Sequence, residues 1–281
     1  MRVSTSFRPN LLREMELITS HESSPVSRIL TIARNTFREA VRDRILYNLV
    51  VFVLLITAAA VLLGELTDGQ EARTIVNLGL NAVLIFGTFI SIFVGVSLVS
   101  KEIEKRTVYA ILSKPVGRGE FIVGKYLGLC VTLLVNTAVM GIGISLALLY
   151  VGGNELALTA WGAVGLIFLE LTILTAVAIV FSTFSTPALS ALFTFLIFVI
   201  GHFSAALRDL AAGMGSSTAK IVFNGIYYLL PNLSNFSFVT HAAHGMMPPA
   251  AMFLGSALYA ALFDVILTTI AILIFSRRSF K

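Results

Sequence analysis

Four polar residues stand inside long apolar runs, and they are the ones whose chemistry needs an account: Asn136, Glu170, His202 and Asp264. Glu170 and Asp264 each lie near the middle of such a run, where a carboxylate exposed to lipid would cost several kcal/mol. They must face protein or water, or carry a proton. A polar translocation path or a proton-sensitive switch is one reading of them; interhelical hydrogen bonds that fix packing are the other. His202 is also readily explained as an internally satisfied histidine. His241 and His244 share a face if helical, but no nearby Asp, Glu or Cys completes a metal site, so they read as surface histidines. The single Cys130 excludes a disulfide framework and a cysteine-built metal site.

Nucleotide and hydrolase chemistry is not written in the chain. Neither a G-x-x-x-x-G-K-[ST] loop nor an H-E-x-x-H pair occurs. The Gly124-Lys125 pair is followed by Tyr126 and opens an apolar run, so it cannot cradle phosphates. An intramembrane enzyme would need a nucleophile with a base or metal triad at matched depth, and none is present. The sequons Asn232-Leu-Ser and Asn235-Phe-Ser carry meaning only in a glycosylating cell.

The elements that position these residues belong to a membrane. A mean hydropathy of +0.92, with 57% hydrophobic residues and 21 Phe in 281 residues, is more apolar surface than one soluble core of this size can bury. The formal charge of +5 points to topology and not to nucleic acid. The densest charge is the block from Lys101 to Lys125, between two apolar runs. With this block in the cytoplasm, eight basic residues precede Tyr47, six lie in the block and three follow Phe275, against only Arg73, Arg208 and Lys220 on the other side. That asymmetry places both termini in the cytoplasm. The first residues contain no uninterrupted apolar core, so the first span is expected to serve as the insertion signal.

The expected plan is an all-α polytopic membrane protein. Residues 1–24 form a cytoplasmic arm, and 25–281 a single transmembrane domain. An amphipathic interface helix over 26–45 carries Val26, Ile29, Leu30, Ala33, Phe37, Ala40, Val41 and Ile45 on one stripe, with five arginines largely off it. Such a helix lies along the cytoplasmic bilayer surface or packs on the chain's own loops. Six spans follow, at about 46–63, 77–99, 121–151, 156–181, 188–207 and 250–275. Gly87, Gly95 and the Gly124-x-x-x-Gly128 pattern are places for close helix contact, and Lys125 can snorkel to headgroups. The loop 101–118 reads as a short helix stopped by Pro115. Residues 208–249 are expected outside, as interfacial or partly re-entrant helices broken by Pro231. No internal repeat is apparent.

The segment from Glu102 to Arg118, followed by Gly124-Lys125-Tyr126, resembles the loop after the second span of the ABC-2 type permease family. Family members carry there an acidic residue, Gly-Thr, Leu-Leu-Ser, Pro, Arg and then Gly-Lys. Glu104, Thr107, Leu112, Ser113, Pro115, Arg118, Gly124 and Lys125 stand at those positions, while Arg106 replaces the glycine. The likeness extends to the amphipathic lead-in helix, the six-span plan, Tyr228 to Leu233 and the terminal Phe275-Ser-Arg-Arg. It lies nearest in flavour to the branch that includes the nitrous-oxide-reductase maturation permease, without transferring a copper or sulfur substrate.

This resemblance implies an ABC-2 type exporter fold and a permease subunit of the bacterial cytoplasmic membrane. Such a subunit pairs with a second copy and binds a separate ATPase subunit, which holds ATP and Mg; no cofactor is expected on this chain. Residues 101–112 would be a coupling helix presenting Glu102, Glu104, Lys105 and Arg106 to a charged cleft, with Pro115 as hinge and Arg118 as anchor. Asn136, Glu170, His202 and Asp264 would be tested as a translocation path. The alternative is a permease-like anchor that passes ATP-driven motion to a periplasmic maturation or regulatory partner through 208–249. A secondary transporter would show midplane-broken helices in two matching halves, against which the gapless spans argue.

Overall fold

The computed structural model describes residues 24–42, 44–65, 69–104, 117–204, 206, 209 and 217–277, and among them the ordered elements are helical. In chain order they are α1 Pro25–Val41, α2 Arg44–Glu65, α3 Glu71–Glu104, α4 Arg118–Val151, α5 Asn154–Ser182, α6 Pro187–His202 and α7 Ser217–Leu229. A 3-10 turn, Leu233–Phe236, the single-turn α8, Val239–Ala243, and the last helix α9, Ala250–Arg277, complete the order.

The helix ends have local causes. Ser24 accepts a hydrogen bond from the Ser27 N–H at 3.3 Å and Pro25 fills the first helical position, so α1 starts where its arginine-rich pattern starts. The Glu120 carboxylate accepts from the Gly117 N–H at 3.0 Å and fixes the start of α4. Gly152, at φ 78°, closes α4 with its N–H on the carbonyls of Leu148 and Leu149, a left-handed stop that suits glycine.

α5 is the central post. Residues 170–179 are buried without exception, and α3, α4, α6, α8, α9 and the 3-10 turn all pack on it. Two glycines on α3 permit this approach: a Cβ on Gly87 would meet Leu171 Cδ1 at 2.6 Å, and one on Gly95 would meet Ala178 Cβ at 3.2 Å. α9, in contrast, buries only Ser256, Ala260, Ala271 and Phe275 along its 28 residues. It is an edge helix whose outer face is suited to lipid.

Six spans are not what the structure contains. Among the described residues four helices are long and apolar enough to cross a membrane, at Glu71–Ser97, Arg118–Val151, Asn154–Ser182 and Ala250–Arg277. The expected first span falls in α2, where Val53–Leu62 is a shorter apolar stretch among the described residues. The expected fifth span is interrupted: α6 has 16 residues to His202, a turn falls at Phe203, and the described residues Ser204, Ala206 and Asp209 are again helical. The 3-10 turn packs tightly beside this break, where a Cβ on Gly201 would lie 2.7 Å from the Pro231 carbonyl oxygen and 2.8 Å from Leu233 Cγ. The side on which the termini lie rests on the charge count alone.

α1 packs chiefly on α4. Ala33, Thr36 and Ala40 are its buried face, set against Gly124 and Gly128. A Cβ on Gly124 would come to 2.7 Å from Ile32 Cβ, and one on Gly128 to 2.6 Å from the Ala33 carbonyl oxygen. The Gly124-x-x-x-Gly128 pattern is therefore the seat of α1. Val26 and Leu30, expected on the same apolar stripe, stay 64% and 60% exposed.

Candidate functional site

At the end of the bundle where α1, α4 and α9 meet, charged side chains join their first and last turns. Arg118 opens α4 and donates from Nη1 to the Ser276 carbonyl at 2.6 Å and the Phe275 carbonyl at 3.5 Å, which are acceptors left open by the C-terminus of α9. One turn on, Phe121 stacks against Phe275 with ring centroids 5.7 Å apart. Glu120, besides capping Gly117, meets Arg28 Nη1 of α1 at 3.5 Å. Lys125 reaches Glu39 Oε2 of α1 at 3.5 Å and lies over the Phe121 ring, 5.8 Å from its centroid.

Lys125 is only 3% exposed, so it does not snorkel to headgroups. An ammonium in that position needs its carboxylate partner, since removing the partner would leave a buried charge. The Arg28–Glu120 pair, with side chains 24% and 17% exposed, is partly screened by solvent and contributes about 0–1 kcal/mol. The network's main effect is thus geometric. It makes the start of α4, the length of α1 and the end of α9 one body.

Of the residues expected to couple to a partner, Arg118 is the one whose side chain the structure describes. Glu102 and Glu104 lie in the last turn of the α3 backbone; their side chains, together with Lys105, Arg106, Thr107, Leu112 and Pro115, lie outside the described residues. The roots of that loop, α3 on one side and Gly117 to Phe121 on the other, are held in the bundle. Arg28, Glu39 and Glu120 were not singled out by sequence reasoning. Glu120, three residues after Gly117 at the head of an apolar run, has the spacing of an N-terminal cap and is the one that could have been found.

Deeper in the bundle the four polar residues separate into three places. Glu170 on α5 and His202 at the end of α6 come together, with Oε1 and Nδ1 3.3 Å apart and the carboxylate side chain 1% exposed. The contact is within ion-pair range but off the line of a hydrogen bond, and neither atom has a hydrogen-bond partner. Asp264 on α9 interacts instead with Tyr126 of α4 and Thr172 of α5, and Tyr126 in turn with Cys130. Its Oδ1 is buried without a partner. Asn136 is 5% exposed and its Nδ2 is likewise unpartnered.

A second polar cluster is built on Asn232. Its Oδ1 accepts from the Ser204 and Ser234 hydroxyls and from the Ser234 N–H, its own N–H donates to the Tyr259 hydroxyl at 2.8 Å, and its Nδ2 faces the Tyr227 hydroxyl at 3.4 Å. These bonds pin the 3-10 turn to α7, α9 and the chain just after α6. Nearer the start of α5, Thr159 donates to the Ala242 carbonyl at 3.1 Å and holds α8. His241 stacks on Phe238, and His244 Nδ1 lies 2.8 Å from the Thr240 carbonyl. No group of three His, Cys, Asp or Glu side chains converges among the described residues.

No curated protein matches the chain. Residues 30–281, from within α1 to the terminus, match the family described as ABC-2 family transporter protein. Members of that family are typically non-catalytic, membrane-embedded transport components that work with a separate ATPase subunit. The match covers the four long apolar helices and the Asn232 cluster, and the chain belongs to the ABC-2 family of membrane transporter proteins.

Proposed function

We propose that this chain is the transmembrane permease subunit of an ATP-binding-cassette exporter in a bacterial cytoplasmic membrane. It pairs with a second copy, and the loop over 101–112 seats in a cleft of the ATPase subunit with Glu102, Glu104, Lys105 and Arg106 at the contact. Pro115 and Arg118 form the hinge and root of that loop. ATP and its magnesium belong to the ATPase subunit. Asn136, Glu170, His202 and Asp264 are the polar groups a cargo would meet between the helices.

The observation that carries the reading is the clamp on Gly117 to Lys125. A push delivered to the loop meets Arg118, which holds the end of α9, and Glu120 and Lys125, which hold α1. The displacement is then shared by three helices as a rigid body, the form in which packed elements move. A loop rooted in one helix alone would bend and dissipate it.

The test is to purify the full chain in mild detergent and identify the ATPase subunit that accompanies it, then repeat with Glu104→Lys. The reading expects an ATPase to co-elute with the native chain. The charge reversal should leave membrane insertion unchanged and uncouple hydrolysis from transport in vesicles. Recovery of the native chain with no ATPase subunit would overturn the proposal.

A further inference from the structure

Glu170 lies 16 positions after Asn154 and 12 before Ser182, hence about 24 Å and 18 Å from the two ends of α5. α6 returns alongside α5 from Pro187 and stops at His202. α6 breaks at the Phe203 turn, where the Phe203 N–H bonds the Val199 carbonyl, and helix resumes at Ser204. The break places the imidazole of His202 at the depth of a buried carboxylate.

The geometry decides the state of that imidazole. A neutral ring and a carboxylate attract by a directional hydrogen bond, yet the 3.3 Å contact is off the hydrogen-bond line. Carboxylate and imidazolium attract at this distance without alignment. At 1% exposure the Glu170 side chain has no space beside it for a hydrated ion, so the cation that fits is a proton on the ring. The His202 side chain is 27% exposed and packs on Phe198 at 5.4 Å.

We propose that Glu170 and His202 form a proton-binding site, and that the bound proton latches α6 to α5. Release leaves a carboxylate and a neutral ring at the end of α6, with one proton lost to the aqueous side and no other bond changed. The latch then loses its attraction. Between α6 and α3 lies an open apolar groove of about 260 Å³, lined by Phe89, Phe93, Leu192 and Phe195 among others, so the two helices are not closely packed there. Titratable groups on the elements around α5 include Asp264 and Tyr259 on α9, Tyr126 and Cys130 on α4, and His241 and His244 at α8, with Arg118, Glu120 and Lys125 nearer the start of α4 and Glu71 and Arg73 at the start of α3; α3 faces α5 with the Ser91 hydroxyl, bonded to Thr175. The inference stands on α5 and α6 and is independent of the coupling proposed above.

The experiment is hydrogen exchange of the full chain in lipid nanodiscs at pH 6, 7 and 8, reading peptides that cover 187–202 and correcting for the intrinsic rate. Opening linked to loss of one proton should speed exchange by up to about tenfold per pH unit in this region. Both Glu170→Gln and, separately, His202→Asn should abolish that slope, whereas Asp264→Asn should keep it. A native α6 with no slope, or a slope that survives in either latch variant, overturns the proposal. Should the latch variants fail to fold, ¹⁵N-imidazole resonances of the native chain decide: the proposal requires one imidazolium signal at a pH where the exposed histidines are neutral, and its absence refutes it.

Discussion

Adding one methyl group at Gly128 tests whether α1 is seated by contact with α4. An alanine Cβ there would lie 2.6 Å from the Ala33 carbonyl oxygen, 2.6 Å from Thr36 Cβ and 2.9 Å from Thr36 Cγ2. Carbon contacts become favourable at about 3.5–4.0 Å, so α1 must lift by about 1 Å at this turn. The carbonyl is backbone within a helix and cannot rotate aside. Overpacking of this kind costs about 1–3 kcal/mol. Alanine also improves helix propensity by about 1 kcal/mol, but α4 is helical whether or not α1 is docked, and that gain cancels from the docking equilibrium. Gly128→Ala is therefore expected to raise the exchange of residues 25–41 by about 5- to 150-fold, while exchange within α5 is unchanged. Gly225→Ala is the control, because nothing lies within 4 Å of its Cβ position; it should stabilise α7 and leave α1 alone. If α1 exchanges at the native rate in Gly128→Ala, the close seat does not hold it.

Asn232→Ala removes the acceptor of the Ser204 and Ser234 hydroxyls and of the Ser234 N–H, an expected loss of about 1–3 kcal/mol in thermal unfolding. Asn235→Ala, at an exposed position, should fall within about 0.5 kcal/mol of the native chain. Arg118→Ala frees the Phe275 and Ser276 carbonyls; at a half-buried position this should cost about 1 kcal/mol and appear as faster exchange of the last turn of α9. Glu39→Gln removes the carboxylate 3.5 Å from the buried Lys125 ammonium and should destabilise the docking of α1, with the denaturant midpoint as the readout.

The four long helices were legible because twenty or more apolar residues in a row have few other solutions. Where helices stop was less so. Residues 188–207 remain apolar beyond His202, and hydropathy has no access to the Pro231 carbonyl that meets Gly201. The amphipathic period correctly identified a helix over most of 26–45, yet it could not say what covers each side. Thr36, a polar residue left off the apolar stripe, is buried against Gly128, whereas Val26 and Leu30 on the stripe are exposed. Small residues, not hydrophobic ones, mark the contact face, since the backbones approach too closely for a larger side chain. The pairing of Glu170 with His202 was open to discovery: counting back from Ser182 and forward from Pro187 puts the two at similar depth on neighbouring antiparallel helices. Asp264 offered no such count, because its partners Tyr126 and Thr172 lie on helices far apart in sequence.

Taken together, the contacts divide the bundle into parts of different stiffness. α4, α1 and the end of α9 are joined by glycine-seated backbone contact, the Phe121–Phe275 stack and charged caps. α6 is joined to α5 by a short turn, two buried hydroxyl side chains at Ser190 and Thr194, and one off-axis charge contact. Of these, Ser190 has no hydrogen-bond partner and Thr194 bonds within its own helix, to the Ser190 carbonyl. Among the described residues, α6 is thus held to α5 chiefly by apolar packing and the Glu170–His202 contact, with the 3-10 turn closing its far end. A force entering at 101–118 acts on the stiff part, and the compliant helix is the one that answers it; if the two were interchanged, with α6 tied by aligned hydrogen bonds and Arg118 free of α9, the same loop would move without consequence for the interior.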